Sequence, residues 1–359
     1  MIAVIGRDAA TIAAACAGVD AVECWSPATT PHDALQAALA GVALAARAWS
    51  RGDAERLIRA DLAQRALLDR WAAREVRRRK PRVVIAPSLA ARRTLAAAHA
   101  IGATAVLAHD LPVLRQLAAD LDRAAAQWPT RRFLRRVRPA PAWVAEQESE
   151  WMLADVVLVR GGYARQLMAA RGVAGSALVA MPMAAAPAMV RASTATGRIR
   201  LAGIATARHG LDSALAATRA LGLTLVVRVG DATEPADLAT HPGVATDDGP
   251  VDGVIAPAVC EAYPVELRAA RAAGVPRVVS PLLAEPGDVI GDPYDVAALT
   301  AALATALAAS APAPIVDSVD LAAQLRRVAQ RPRGGAVADV AASCAVPLPT
   351  ADPHATLRR

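Results

Sequence analysis

The chain has 359 residues, more than one hydrophobic core usually organises, so its length favours two domains. Hydrophobic residues make up 55% of it and mean hydropathy is +0.30, but alanine supplies much of this, and polar residues interrupt every apolar stretch, which predicts no membrane-spanning helix. The net charge is +7, yet aromatic residues are only 3% of the chain; nucleic-acid binding is disfavoured, because RNA and single strands are bound by stacking bases on aromatic side chains.

The first elements along the chain form the opening of a parallel βαβ unit. Residues 1–5 predict a buried strand, residues 9–17 a helix and residues 21–25 a second strand. The turn after the first strand, Gly6-Arg7-Asp8, lacks the Gly-x-Gly-x-x-Gly pattern that holds a dinucleotide pyrophosphate. An NAD or FAD site is therefore disfavoured.

The rest of the first half continues this alternation of helix and strand. Helical spacing of apolar residues predicts one or two long helices over residues 33–79. The elements expected next are strand 81–87, helix 89–100, strand 105–107 ending at His109-Asp110, turn 139–141, helix 146–153, strand 155–159, helix 163–170 and strand 177–181. The Ala-, Pro- and Met-rich segment 182–189 is the expected interdomain linker.

A second βαβ series follows the linker. Its expected elements are strand 199–204, helix 211–221, strands 223–229 and 253–256, helix 265–273, strand 277–280 and helix 296–308. We predict an α/β protein in which two Rossmann-like parallel-sheet domains, residues 1–185 and 198–310, face each other across a cleft. A C-terminal helix within residues 311–330 and a disordered tail at 331–359 are expected to follow. Ligands of such sheets bind beyond the carboxyl ends of the strands, so the cleft is the expected site.

The N-terminus and the cysteines indicate a reducing compartment. The chain enters a strand without the basic and apolar regions of a signal peptide, which predicts a cytoplasmic protein. Its four cysteines, Cys16, Cys24, Cys260 and Cys344, form no Cys-x-x-Cys pair and no metal-ligand spacing. We interpret them as buried thiols.

The segment from Val251 to Ser280 carries the most specific pattern in the chain. It reads Val-Asp-Gly-Val-Ile-Ala-Pro-Ala-Val-Cys-Glu-Ala-Tyr-Pro-Val-Glu-Leu-Arg-Ala-Ala-Arg-Ala-Ala-Gly-Val-Pro-Arg-Val-Val-Ser. This resembles the donor-site core of the family-4 retaining glycosyltransferases, which have the GT-B fold. In that family a Glu precedes Gly/Ala-aromatic-Pro, and a helix then leads to Ala-x-Gly-x-Pro and a strand. The matching residues are Glu261, Tyr263, Pro264, Ala272, Gly274 and Pro276.

Two less specific likenesses lie upstream of that segment. Ala202-Gly203 and His209-Gly210, followed by a predicted helix, resemble the strand-Gly and Lys-Gly element of the family. Residues 148–159 resemble the last unit of its N-terminal domain. The resemblance as a whole extends over most of residues 81–308.

The chain departs from the family at three donor-site positions. The Glu that contacts the donor ribose in the family falls at Ala269. The Arg and Lys that neutralise the donor diphosphate correspond to Ile204 and His209. The interval 230–251 is also short and is expected to lack a helix and a strand. These departures predict a degenerate donor site.

A glycosyl transfer requires that the leaving diphosphate be stabilised. The resemblance implies that this occurs without a metal or resident cofactor, with the nucleotide-sugar as co-substrate. Arg208, directly before a predicted helix start, could supply the positive charge of the missing lysine; the alternative is an exposed loop arginine. His209 is either a partly charged donor-site residue or a polar turn residue.

Candidate catalytic residues come from both halves of the chain. The resemblance implies that Glu261 contacts sugar hydroxyls, while a carboxylate favoured by a helix N-terminus is the alternative. His109 and Asp110 end a strand of the first half and are expected to face the cleft, where the family often has a His that meets the donor sugar or the acceptor. A helix-capping turn is the alternative for this pair.

Two functions follow from these residues. The leading hypothesis is a metal-independent glycosyltransferase that moves a sugar from a nucleotide-sugar to a glycan or small-molecule acceptor. The alternative is a non-catalytic GT-B homologue that binds a glycan, a nucleotide or a protein partner. Only the enzyme needs other cations to converge on the cleft in place of the two missing ones. The basic clusters 77–82 and 131–138 could contact a membrane surface, or form a regulatory face away from the cleft.

Overall fold

The computed structural model describes residues 2–5, 22–25, 54–131, 134–135, 137–181, 188–229, 238, 241–260 and 264–309. Within these ranges the chain forms two six-stranded parallel sheets with helices between the strands. The strands are β1 Ile2–Ile5, β2 Val22–Trp25, β3 Val83–Pro87, β4 Thr104–His109, β5 Val156–Val159, β6 Leu178–Ala180, β7 Arg198–Ile204, β8 Thr224–Arg228, β9 Val244–Ala245, β10 Gly253–Ala256, β11 Arg277–Val279 and β12 Val289–Ile290. The helices are α1 Ala54–Arg79, α2 Arg92–Ala100, α3 Leu114–Gln127, α4 Pro141–Leu153, α5 Gly162–Ala169, α6 Leu211–Ala220, α7 Val265–Ala272 and α8 Val296–Ala308.

The first sheet has the strand order β2-β1-β3-β4-β5-β6, and all of its pairings are parallel. Strand β5 is buried at every position and reads as a continuous apolar run, as expected when helices cover both faces of a sheet. One of these faces packs with α1, α2 and α5 into a core that includes Val84, Leu107 and Val157.

The second sheet has the strand order β12-β11-β10-β7-β8-β9, again parallel throughout. Along β7, Ile199 and Leu201 belong to the core on the side of α6 and α8, whereas Ala202 belongs to the core on the side of α7. The strand order reverses between β7 and β10. Because the loops after these two strands diverge to opposite faces of the sheet, this is the position at which a ligand crevice is expected.

A buried ion cluster lies at the opposite edge of the second sheet, where β11 begins. The Arg277 side chain is fully buried, and its Nε donates a 2.5 Å hydrogen bond to Asp288. Arg271 of α7 bonds the other oxygen of Asp288 at 2.7 Å. The cluster fastens the segment after β11 to the sheet and has no part in the crevice.

Most predicted elements are confirmed, and four expectations need correction. The sequence does not predict helix α3 or the two edge strands β9 and β12. Strand β9 lies in the interval 230–251, so that interval retains one short strand, contrary to expectation. Helix α2 begins at Arg92 rather than at residue 89, because Leu89 has a φ of 60° and cannot continue a right-handed helix. Helix α4 begins at Pro141, since proline fits a first helical position.

The predicted helix 9–17, residues 33–53 of the predicted long helical region, most of the expected linker and everything after residue 309 lie outside the described residues. The division at residues 185 and 198 therefore stays a prediction. No helix in the described part of the chain is long and apolar enough to cross a membrane.

Candidate functional site

The loops that follow β7 and β10 meet at the carboxyl edge of the second sheet. The backbone N–H of Val259 donates a 3.1 Å hydrogen bond to the carbonyl of Arg208. Gly210, with a φ of 77°, lies so close to Pro257 that a Cβ added to the glycine would fall 1.9 Å from the proline carbonyl oxygen. Only glycine fits both this conformation and this contact. Helix α6 begins directly afterwards, so its N-terminus is at the crevice.

Gly203 and His209 pack against each other within the loop after β7. Gly203 has a φ of 95°, and a Cβ on it would lie 2.5 Å from the His209 ring. The Nδ1 atom of His209 is 2.9 Å from the hydroxyl of Thr206. Burial lowers the pKa of His209 to about 4, and the charges of Arg208 and Arg228 act in the same direction. At neutral pH His209 is therefore an uncharged spacer and cannot supply the charge of a lysine.

Arg228 and Glu266 belong to the same crevice, although the sequence did not single them out. Arg228 ends β8, and its Nη1 lies 2.9 Å from Glu266, a buried residue in the first turn of α7. The other carboxylate oxygen of Glu266 accepts a 3.1 Å hydrogen bond from the Gly203 N–H. The Arg228 side chain remains 51% exposed. Glu266 thus holds both the glycine loop and the arginine, while the arginine keeps access to solvent.

The crevice brings together four of the predicted donor-site residues, Gly203, Arg208, His209 and Gly210. Pro264 is buried and forms the N-cap of α7. Glu261 and Tyr263 lie outside the described residues, so their assigned roles stay predictions. Ala269 is 2% exposed and packs inside the domain; Glu266, three residues earlier on the same helix face, is the carboxylate nearest to its position along α7.

His109 lies at the end of β4 with its ring inside the first domain. It is 1% exposed and stacks on Trp151 of α4, with ring centroids 5.7 Å apart. Neither ring nitrogen has a hydrogen-bond partner among the described residues. Burial, together with the charge of Arg160, lowers its pKa to about 3. Asp110 follows as a partly buried residue whose N–H donates to the carbonyl of Ala108. His109 is thus a neutral imidazole.

The loop after β3, at the same edge as His109, is held by polar side chains of α1 and α4. Leu89 has a left-handed backbone, and its N–H donates a 2.7 Å hydrogen bond to Glu150. Glu150 also accepts from the Ala91 N–H at 2.9 Å, and Arg65 donates to the Ser88 carbonyl at 2.7 Å. Burial raises the pKa of Glu150 to about 8. The strained turn is therefore fixed by α1 and α4.

Helix α3 of the first domain packs onto the candidate crevice. Leu114, Leu117 and Leu121 line its buried face. They share one apolar cluster with Ala207 and with Val259-Cys260, which lie on the loops after β7 and β10. These loop residues are 3%, 1% and 0% exposed. The two domains therefore meet through an apolar contact at the strand ends.

Two further contacts join the domains beyond the end of α3. Trp128 stacks on Tyr294 of the second domain with ring centroids 5.5 Å apart and an interplanar angle of 19°. Arg131 forms a two-fold ion pair with Asp212, whose Nε–Oδ2 distance is 3.2 Å. Asp212 lies in the first turn of α6. Arg131, a member of the second basic cluster, is thus placed at the crevice.

A separate cavity of about 770 Å³ lies on the first domain between α1, α2 and α4. Three arginines line it, Arg70, Arg92 and Arg93, together with Trp143 and several alanines. No group of three or more His, Cys, Asp or Glu side chains in the described ranges is placed to hold a metal ion.

Among the comparisons with known proteins, only the comparison with solved structures finds matches to this chain. No family model and no curated protein matches it. Sucrose-phosphate synthase from Thermosynechococcus elongatus is 13% identical over 92% of each chain, with a TM-score of 0.53. A UDP-GlcNAc 2-epimerase from Methanocaldococcus jannaschii, solved with UDP-GlcNAc and UDP, is 8% identical over 91% of this chain and 98% of that one, with a TM-score of 0.49. The lipopolysaccharide outer core galactosyltransferase WaaB is 12% identical over 85% of this chain and 90% of that one, also with a TM-score of 0.49.

The first of these likenesses and the two facing parallel-sheet domains show that the chain has the GT-B fold, as predicted. At this level of identity the likeness shows the fold alone, because one fold can carry many activities.

Proposed function

We propose that the protein binds the diphosphate of a nucleotide-sugar at the second-domain crevice and transfers the sugar without a metal ion. The observation that carries this proposal is the pair Arg208 and Arg228. Both arginines lie close enough to His209 to lower its pKa; Arg208 lies in the short 3-10 turn Ala207–His209 after β7, and Arg228 ends the neighbouring strand β8. Guanidinium groups bind phosphate oxygens through several N–H donors at once. The N-terminus of α6 adds a favourable dipole at the same place.

The same observation favours the enzyme over a non-catalytic homologue that binds only a glycan or a protein partner. Ile204 and His209 stand where the resembled family has its two cations, and neither is charged at neutral pH. Two other arginines nevertheless converge there. A protein that only docks a partner has no need to restore this charge, whereas a transferase must stabilise the leaving diphosphate as the glycosidic bond breaks.

Each residue of the crevice then has a defined task. Arg208 and Arg228 neutralise the diphosphate, and Glu266 keeps Arg228 and the Gly203 loop in position. The neutral His209 fills the space below the loop. Glu261 would contact the donor sugar, as the resemblance implies. The acceptor, a glycan or small molecule, would enter from the first domain, where the partly buried Asp110 is the candidate group and the buried His109 supports the strand end beside it.

Nucleotide binding tests the diphosphate site. Isothermal calorimetry and thermal shift are run with UDP, GDP, ADP and their sugar conjugates. A ligand at a hundredfold excess over its dissociation constant stabilises the native state by about 2.7 kcal/mol. Arg208→Ala and Arg228→Ala should each weaken the binding at least about tenfold, the loss expected for one charge-assisted contact of about 1.4 kcal/mol or more. Arg219→Ala, at the far end of α6, is the matched control and should leave it unchanged.

A turnover assay distinguishes the glycosyltransferase from the non-catalytic homologue. Release of nucleoside diphosphate from the sugar conjugate that binds is followed with and without candidate acceptors. Release that Arg228→Ala abolishes supports the transferase. Tight nucleotide binding without any release would favour the non-catalytic homologue, and no binding at millimolar nucleotide would refute the proposal itself.

The first basic cluster favours an anionic membrane surface as the place where the acceptor is met. Between residues 63 and 100, both acidic side chains are buried, while most lysines and arginines are exposed. The exposed cations are Arg70, Arg74, Arg77, Arg78, Lys80, Arg82, Arg92 and Arg93. Arg78 pairs with Glu75 and Arg92 with Glu146, as Arg131 and Arg138 of the second cluster pair with Asp212 and Asp122, so the attraction to an anionic surface rests on the excess of exposed cations in this region. Each basic residue near an anionic bilayer contributes about 1 kcal/mol to binding.

Vesicle sedimentation tests this surface. The protein should bind vesicles that contain phosphatidylglycerol and not vesicles of phosphatidylcholine alone, with binding that weakens at high salt. The double variant R74E/R78E should abolish sedimentation, while R165E/R219E, with the same charge change elsewhere, should retain most of it. Equal binding to neutral vesicles would contradict an electrostatic contact.

A further inference from the structure

We infer that the cavity between α1, α2 and α4 binds an amphipathic organic anion, a molecule with a phosphate or carboxylate group at one end and an apolar body. The cavity has a volume of about 770 Å³, which is in the range of small-molecule pockets. None of the residues that line it belongs to the crevice of the second domain. The inference therefore goes beyond the proposed function and does not depend on nucleotide binding.

Three arginines of the lining provide donors for the anionic group. Arg70 belongs to α1, while Arg92 and Arg93 belong to the first turn of α2, and all three are exposed. Among the residues that the structure describes, Arg70 and Arg93 have no carboxylate within ion-pair distance. Arg92 pairs with Glu146 of α4 at 3.4 Å, but these side chains are 60% and 40% exposed, so solvent weakens the pair. The guanidinium groups are therefore available to phosphate or carboxylate oxygens, which they bind through several N–H donors.

The buried carboxylates beside the cavity are occupied by other donors. The Asp69 carboxylate accepts hydrogen bonds from the N–H groups of Arg93 and Thr94 at 3.0 and 2.9 Å, and from the Thr94 hydroxyl at 2.7 Å. Glu150 accepts from two further N–H groups of the loop before α2, at 2.7 and 2.9 Å. The backbone donors at the start of α2 are thus satisfied, so an added anion would use the arginine side chains and not the helix N-terminus itself.

Arg92 and Arg93 lie at an unfavourable end of α2. The helix begins at Arg92, and its first turn contains no acidic residue. A helix N-terminus carries partial positive charge, which disfavours cations there. Asp69 offsets part of this effect, and an anion bound between the guanidinium groups would offset more of it. The position of the two arginines thus costs helix stability, as is common for residues that bind a ligand.

The rest of the lining is mostly apolar and fits a hydrocarbon or aromatic body. Alanines from all three helices contribute to it, among them Ala96 and Ala142, together with Trp143 and Leu153 of α4. Small alanine side chains leave the space between the helices open, and Trp143 is only partly buried, so its ring can contact a ligand. An inorganic anion would leave this apolar surface in contact with water. The lining therefore favours a ligand that combines a charge with an apolar body.

Calorimetry with matched probes tests the cavity in the full-length protein. Octyl phosphate carries both the charge and the apolar body, whereas octanol carries only the body and inorganic phosphate only the charge. Octyl phosphate should bind at least about tenfold more tightly than either. Hexyl phosphate should bind at least about threefold more weakly than octyl phosphate, because each fully buried methylene contributes about fourfold to affinity. Binding of octanol or inorganic phosphate that equals the binding of octyl phosphate would overturn the proposal.

Two pairs of variants locate the binding site. Arg70→Glu should weaken octyl phosphate binding at least about tenfold. Arg74→Glu, one turn further along α1 and outside the lining, should weaken it less than about threefold, because solvent and salt screen its charge. Ala142→Leu should fill part of the cavity and weaken binding, whereas Ala145→Leu, also exposed on α4 but outside the lining, should not. Far-UV circular dichroism checks that each variant is folded. Equal effects within either pair would place the binding elsewhere and overturn the proposal.

Vesicle sedimentation distinguishes a lipid headgroup from a soluble molecule as the source of the anion. Ala142→Leu is the informative variant, because it narrows the cavity and leaves the charge of the basic surface unchanged. If it weakens sedimentation with phosphatidylglycerol vesicles as strongly as it weakens octyl phosphate binding, the anion is a lipid headgroup. If sedimentation is unchanged while octyl phosphate binding is lost, the cavity takes a soluble anion. Both results uphold the cavity as a binding site for an amphipathic anion.

Discussion

Gly210 lies against the carbonyl oxygen of Pro257, and this contact joins the loops after β7 and β10. A Cβ on Gly210 would lie 1.9 Å from that oxygen, a backbone atom that cannot rotate away. The position of α6, and with it the proposed diphosphate site, therefore depends on one residue having no side chain.

Gly210→Ala should destabilise the protein by two separate effects, the left-handed φ of 77° and the overlap with Pro257. Gly222→Ala separates them, because Gly222 has a φ of 67° and a Cβ added to it would have nothing within 4 Å. The conformational cost alone is about 1–2 kcal/mol, and the overlap should add about 1–3 kcal/mol in Gly210→Ala. Urea unfolding measures both. Equal losses in the two variants would mean that the loops move apart without cost.

Glu266→Gln should weaken both stability and ligand binding. The amide cannot pair ionically with Arg228, and it places an NH₂ group where one of two donors is now accepted. A buried group that loses a partner costs about 1–3 kcal/mol. Arg228→Ala should carry a similar cost, because it leaves the buried Glu266 carboxylate with the Gly203 N–H but no counter-charge, and it should weaken nucleotide binding more than Glu266→Gln does. Unfolding and calorimetry on the same samples give the comparison.

The protein should lose stability as the pH falls below 6.5. His109 and His209 have folded-state pKa values of about 3 and about 4, because burial disfavours their charged forms. Below pH 6.5 the unfolded chain therefore binds more protons than the folded chain. The contribution of these groups to the free energy of unfolding is complete above the unfolded pKa of 6.5. Below that pH, protonation of each group in the unfolded chain lowers the free energy of unfolding by up to about 1.4 kcal/mol per pH unit. His109→Phe should make the acid limb shallower in urea titrations between pH 4 and 7. An unchanged slope would contradict burial of a neutral imidazole.

At higher pH Glu150 should act in the opposite direction. Its folded pKa of about 8 lies above the ordinary glutamate value of 4.5, so its protonated form is favoured by folding. The associated stability is complete below about pH 4.5 and is lost as the pH rises through 8. Glu150→Gln, which cannot titrate, should be less stable at pH 6, because one of the Leu89 and Ala91 N–H groups then faces the amide NH₂ instead of an acceptor oxygen. It should also show a flatter profile from pH 6 to 9. A wild-type profile with no decline up to pH 9 would refute this.

Asp288→Asn should be the most damaging single charge change in the second domain. It leaves Arg277, whose side chain is fully buried, without a counter-charge, and breaking a buried pair in this way costs about 3–5 kcal/mol. Asp247→Asn is the control, since Asp247 pairs with Arg198 at the surface, where solvent screens the pair and it contributes little to stability. Thermal melts of the two variants should differ by several degrees. Similar melts would place Asp288 outside the stabilising cluster.

The sequence predicted the two sheets well because parallel strands buried on both faces read as short apolar runs. It failed at β9 and β12, two-residue edge strands too short for any periodic signal. It also failed at α3, although Leu114, Leu117 and Leu121 follow helical spacing there. Its N-cap, Val113, makes no side-chain capping bond, and Pro112 precedes the N-cap instead of occupying the first helical position, so the beginning of α3 carried only a weak local signal.

The sequence predicted residues of the candidate site only where they lie close together along the chain. Gly203, Arg208, His209 and Gly210 lie within eight residues and were found together. Arg228 and Glu266 were not, because their ion pair joins a strand end and a helix that are far apart in sequence. Neutralisation of His209 was equally unpredictable, since it results mainly from burial in the fold, to which the charges of Arg208 and Arg228 add.

The reactivity of the Cys260 thiol reports how often the interdomain contact opens. The thiol is fully buried in the apolar cluster that α3 shares with the loop after β10, so a modifying reagent can reach it only after that contact opens. Under native conditions the rate at which this thiol is labelled measures how often the contact separates and for how long. The chain thus carries, within the crevice itself, a natural reporter of the interval between one opening and the next.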